Sequence, residues 1–206
     1  MLDLGQLAGF LAAAVVITLA PGPDILMVLG LGLSRGRRLG MVFGLGCALG
    51  CLSHTVLAAV GVSAMIAASP VLFTAFRVAG GLYLVWLGLK AFRRRGGTAA
   101  MAGPAGTGRS LLVRGLLANA INPKVALFFL AFLPQFIVAE RGMIWWQTIQ
   151  FGVLFTFQAA ILFALVGWFS GHVGHWLSRR PKAGLWLDRL SGGVFLLFGA
   201  RLIFAR

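Results

Sequence analysis

Six stretches of the chain, at roughly 4–32, 39–67, 70–92, 112–138, 144–171 and 184–204, are almost uninterrupted apolar runs. Each is long enough to cross a hydrocarbon core of about 30 Å, which takes about 20 helical residues. No other feature narrows the fold so far. Inside lipid the backbone has no water to bond, so only helices and closed barrels span it. Barrel strands alternate polar and apolar letters over about 10 residues, and these runs are too long and too uniform for that. The chain is 60% hydrophobic and 11% charged, where soluble domains are about a quarter charged. It lacks the polar letters to coat a water-facing surface. The expectation is an all-α integral membrane protein with six transmembrane helices. The start, MLDLGQLAGF, has no basic n-region, and its apolar run outlasts a cleavable length. It therefore reads as a retained span rather than a signal peptide.

Basic residues set the expected orientation. Arg35, Arg37, Arg38, Lys90, Arg93, Arg94, Arg95, Arg109, Arg114, Arg179, Arg180, Lys182 and Arg189 fall on one side of six such spans. Arg77, Arg141, Arg201 and Arg206 fall on the other, with Lys124 inside a span. The positive-inside rule makes the thirteen cytoplasmic and both termini external. Topology and contact with anionic lipid account for nearly all of the net charge of +14, so no nucleic-acid partner is called for. Cys47 and Cys51 both lie within an apolar run and define no disulfide framework. The segment RRRGGTAAMAGPAGTGRS is the one obvious linker. Its small and breaker residues read as a flexible cytoplasmic loop. It divides a single transporter domain, 1–206, into a first unit of about 1–92, a linker of about 93–111 and a second unit of about 112–206.

The two units carry matching oddities. LAPGPDILMVLG in the first span and NAINPKVALFFLA in the fourth each place a proline and a charge among apolar letters. Pro23–Asp24 matches Pro123–Lys124 at an offset of 100, and RVAGGLYL (from Arg77) matches RLSGGVFL (from Arg189) at an offset of 112. Two ordered matches across an odd number of spans predict an inverted duplication of three helices, with helices 1 and 4 broken by proline. Transporters use this architecture, with the broken helices meeting near the midplane. Proline removes a backbone donor and clashes with the carbonyl four residues back. A charge in a span costs about 3 kcal/mol on insertion scales and is functional by default. Asp24 and Lys124 are thus the first candidates, either as a mutual ion pair, with Lys124 snorkelling as a bland alternative, or as a ligand site.

Other residues invite weaker readings. Gly40, Gly44, Gly46 and Gly50 have the spacing of close helix packing. Cys47, Cys51 and His54 share one helical face, which leaves a soft-metal exporter as an alternative. Small buried cysteines as packing residues are the commoner case. His54 also suits a proton carrier. Gln158 offers either a substrate contact or an interhelical bond. His172 and His175 read as interfacial histidines. An intramembrane enzyme would need a nucleophile–base set or paired carboxylates in the spans, and none is written there; the chain reads as a non-enzyme.

LAPGPDILMVLGLGLSRGRRLGMVFGLGCALG, VAGGLYLVWLGLKAFR and NAINPKVALFFLAFLPQF together resemble the LysE/RhtB-type amino-acid exporter family, in order and over nearly the whole chain. The resemblance implies a bacterial inner-membrane exporter of amino acids or close derivatives, energised by the proton gradient. It carries over Pro21, Gly22, Pro23, Asp24, Asn122, Pro123 and Lys124. No cofactor is implied, and a homo-oligomer is compatible with it. On this reading Asp24 accepts the substrate ammonium and carries the proton, relayed by His54, while Lys124 and the backbone N–H groups after Pro123 hold the carboxylate.

Overall fold

The computed structural model describes residues 3–93 and 106–204. Most of the expected linker, including Arg94, Arg95 and Gly103, therefore lies outside the described residues, as does Arg206. Among the described residues no strand occurs. These residues form nine α-helices in chain order: α1 (Leu4–Leu19), α2 (Pro23–Arg35), α3 (Arg37–Ala68), α4 (Pro70–Arg93), α5 (Gly108–Ala120), α6 (Pro123–Leu127), α7 (Ile144–Trp168), α8 (Ser170–Arg179) and α9 (Pro181–Phe204). After α6 the chain continues as a π-helical turn, Phe128–Phe132, and two 3₁₀ turns, Leu133–Phe136 and Ala139–Arg141.

Among the described residues three single helices are long and apolar enough to cross a membrane: Arg37–Gly61, Val71–Arg93 and Ile144–Trp168. Two more qualify only as bent pairs. Leu4–Leu19 and Pro23–Arg35 meet at 56°, and Gly108–Ala120 and Pro123–Phe136 at 49°. Both bends fall on the proline motifs. By length and composition this gives three to five spans where six apolar stretches were read. The remaining stretch, at 184–204, lies in α9, whose Lys182, Asp188, Arg189 and Arg201 dilute its apolar character. The fifth stretch also ends sooner than its letters imply. It breaks at Phe169, and α8 follows as a separate amphipathic helix carrying His172 and His175. The outer surface is apolar where lipid would lie, with Val56, Val60, Phe157 and Leu197 more than half exposed.

Glycine sets how closely the helices approach. A Cβ on Gly46 would strike the Leu112 carbonyl of α5, one on Gly115 the Phe43 carbonyl of α3, and one on Gly167 the Met41 amide. These contacts seat α3 against α5 and α7, backbone to backbone. A second glycine seam joins α4 to α9, where Gly81 meets the Gly199 carbonyl and Gly88 the Gly192 carbonyl. α4 and α9 pack on each other more than on any other element. Between the broken helices and α7, Phe10, Phe128, Phe129, Phe132, Phe136, Phe151 and Phe155 form a buried aromatic cluster.

Candidate functional site

Each proline motif strands a carbonyl, and the other parts of the site are arranged around those two oxygens. Pro21 has no N–H to offer Ile17, four residues back, so the end of α1 leaves carbonyls without helical partners. Lys124 supplies the donor. Its Nζ lies 3.0 Å from the Ile17 oxygen and 3.0 Å from the Ala20 oxygen. Gly22 makes room for this reach, since a Cβ there would sit 3.0 Å from Nζ. Pro123 likewise withholds its donor from the Asn119 carbonyl. That oxygen accepts from the Asn122 N–H at 2.8 Å and from His54 Nε2 at 2.9 Å. A carbonyl can only accept, so Nε2 carries the proton of the His54 ring, and the buried Nδ1 has no partner.

Asp24 stands in the first turn of α2, behind Pro23, and is buried. Its Oδ2 accepts from the side-chain amides of Asn119 at 2.7 Å and Asn122 at 2.8 Å. Its Oδ1 is buried without a partner. Asn122 also caps α6, its Oδ1 accepting from the Lys124 N–H at 3.0 Å. The two charges therefore do not bond each other. Asp24 is held by amides of the second motif, and Lys124 by carbonyls of the first.

Asn119 is the residue that the sequence conceals. Its side chain donates to Asp24, its Oδ1 takes the Cys51 thiol at 3.4 Å, and its carbonyl meets His54. The one signal was its place in NAINPK, three residues ahead of Asn122 in an otherwise apolar stretch. It stands between His54 and Asp24, so it ties their positions together without itself giving up a proton. Gln158 lies apart, on α7, donating to Thr18 Oγ1 at 3.0 Å, with its Oε1 buried and without a partner. Cys47 and Cys51 are buried free thiols. Among the described residues no three His, Cys, Asp or Glu side chains converge as a metal site, so the soft-metal alternative finds no cluster at Cys47, Cys51 and His54.

A cavity of about 240 Å³ opens where the two motifs face α4 and α9. That is the space of roughly eight waters at the ~30 Å³ each fills in the liquid. Pro21, Gly22, Pro23, Asn122, Pro123 and Lys124 form one wall; Leu26 and, across from the motifs, Leu87, Lys90, Ala91, Asp188, Ser191 and Phe195 complete it. Asp24, His54 and Gln158 are not on its wall. Lys124 has used two of its three ammonium donors on carbonyls, which leaves one for a ligand.

The family model described as LysE type translocator matches residues 15–206. A leucine efflux protein of Enterobacter sp. (strain 638) is 34% identical over 94% of this chain and 92% of its own length. A threonine efflux protein of Escherichia coli (strain K12) is 30% identical over 93% of this chain and 94% of its own length. An uncharacterized membrane protein of Vibrio cholerae serotype O1 is 33% identical with both chains covered in full. No solved structure matches the chain.

Proposed function

Because the chain belongs to the LysE type translocator family, we propose that it exports amino acids across the bacterial inner membrane by alternating access at the cavity between its two proline motifs. One observation carries the reading: a buried ammonium, Lys124, lies on the wall of a small cavity where two broken helices meet. A lysine in that position serves a substrate carboxylate, aided by the N-terminal N–H groups of the half-helix it begins. Relatives named leucine and threonine efflux proteins support amino acids as the cargo, and the Leu26, Leu87 and Phe195 surfaces suit a short aliphatic side chain.

The proposal takes α9 as a sixth span and the chain as two inverted three-span repeats, with both termini outside. Bends of 56° and 49° at motifs offset by 100 residues support it. So does the α4–α9 seam. Exchanging the two helices at the offset of 112 carries the Gly81–Gly199 contact to within one residue of the Gly88–Gly192 contact. Proton coupling falls to Asp24, whose Oδ1 is the one carboxylate oxygen of the pair left open. Neutralising it would loosen its hold on Asn119 and Asn122, and with them the second motif.

The test is export itself. Cells overproducing the protein and loaded with dipeptides should release leucine, threonine or a near neighbour faster than vector controls. Equal release across the whole amino-acid panel would defeat the proposal. Asp24→Asn should stop gradient-driven export while leaving exchange of labelled substrate measurable; undiminished uphill export by that variant would remove Asp24 from the coupling.

A further inference from the structure

The chain has four acidic residues, Asp3, Asp24, Glu140 and Asp188. Asp3 and Glu140 are exposed at the ends of the fold. Asp24 is buried but points its bonded oxygen at Asn119 and Asn122, off the cavity wall. Asp188 is different: it is buried, at 3% exposure, and it lines the cavity. Lys124 lines the same space from α6 and is also buried. The cavity thus carries one buried charge of each sign, on two elements far apart in sequence. The other cation on the wall, Lys90, is exposed and lies 4.8 Å over the Trp86 ring, where water and salt screen it.

We infer that Asp188 is the ammonium subsite of the transport cavity, so that a zwitterion binds with its ammonium at Asp188, its carboxylate at Lys124, and its side chain against Leu26, Leu87 and Phe195. This rests on the exporter reading and moves the ammonium contact from Asp24, where the sequence placed it, to α9. It also divides the labour of the two buried acids. Asp188 meets the substrate, and Asp24 holds the motif that presents Lys124. Charge-assisted hydrogen bonds from an ammonium to a carboxylate are short and strong, so a missing partner is felt selectively by ligands that carry the ammonium.

Three probes separate the subsites in purified protein in nanodiscs: L-leucine, 4-methylpentanoate, which lacks the ammonium, and 3-methylbutylamine, which lacks the carboxylate. Asp188→Asn should weaken L-leucine at least tenfold and abolish 3-methylbutylamine binding, with 4-methylpentanoate unchanged. Asp188→Glu should recover part of the L-leucine affinity. Lys124→Gln should show the opposite selectivity, losing 4-methylpentanoate and keeping the amine. Equal weakening of all three probes by Asp188→Asn, or unchanged L-leucine binding, overturns the assignment and leaves the exporter reading standing. A parental protein that binds neither L-leucine nor L-threonine overturns both. Should Asp188→Asn fail to fold, the parental protein still decides. L-leucine, and not 4-methylpentanoate, should protect Asp188 from carbodiimide labelling read by mass spectrometry; labelling indifferent to L-leucine counts against the subsite.

Discussion

Replacing Lys124 by glutamine removes a buried charge and, with it, the donor that serves the carbonyls of Ile17 and Ala20. The two effects oppose each other. Hydrogen bonds to a charged group contribute about 1.5–3 kcal/mol, and holding a charge in a span costs about 3 kcal/mol. Counted over the two bonds, stability should therefore fall by no more than about 3 kcal/mol, while export falls to background; a melting curve on purified protein and an efflux assay read the two separately. Asn119→Ala behaves otherwise, because Asp24 loses a donor at 2.7 Å and nothing is gained. A loss of about 1.5–3 kcal/mol should appear as a clearly lowered melting temperature together with failed export. Unchanged stability would mean that Asn122 alone holds Asp24. The contrast also marks what the letters can disclose. Proline's effect is local and fixed by its missing N–H, so Pro21 and Pro123 announce the stranded carbonyls in advance. Which side chain reaches those oxygens depends on packing between segments about a hundred residues apart. Nothing in the letters distinguishes Asn119 from an ordinary interhelical asparagine, or Asp188 from half of an interfacial Asp188–Arg189 pair.

Among the elements, α3, α4 and α7 follow directly from apolar length, since lipid demands a continuous helix of about 20 residues. The separation of α8 does not, because the apolar letters run past the break at Phe169. Nor does the π turn at Phe128–Phe132, which adds a residue to the hydrogen-bond ladder without any compositional mark. Glycine spacing did foretell close packing, and the structure shows which partner each glycine admits. Gly46→Val should prevent α3 and α5 from closing and sharply reduce the folded fraction on size-exclusion chromatography. Gly61→Ala meets nothing within 4 Å and should be neutral or up to about 1 kcal/mol stabilising, from helix propensity alone. A harmless Gly46→Val would show that α5 does not sit where its contacts place it.

For the whole molecule, the glycine seams divide the helices into a body of α3, α5 and α7 and a pair, α4 and α9, which faces the proline motifs across the cavity. Alternating access on this plan moves the pair against the broken helices. Gly80 of α4 is placed to test it, for a Cβ there would lie 3.0 Å from the Ala131 Cβ, close to the 3.5–4.5 Å span of a disulfide. With Cys47 and Cys51 replaced by alanine, Gly80→Cys with Ala131→Cys should crosslink and arrest export, and reduction should restore it. Crosslinked protein that exports at the parental rate would rule out motion between these elements. Orientation is a separate question. A cytoplasm-active reporter should work at Gly103 and stay silent after Arg206, and the reverse pattern would turn the molecule over.

The π turn bears on how such a motion could travel. In it the Leu133 N–H reaches back five residues, to the Phe128 carbonyl, so the segment stores one residue more than an α-helix would. If the turn relaxed to α geometry, everything beyond it would advance by about 1.5 Å and rotate by about 100°. Pro123 and Lys124 lie before this turn, and Phe136 beyond it. The segment is a screw with one click of slack, and a single click would swing Phe136 within the buried aromatic cluster while Lys124, on the near side of the turn, stayed where it was.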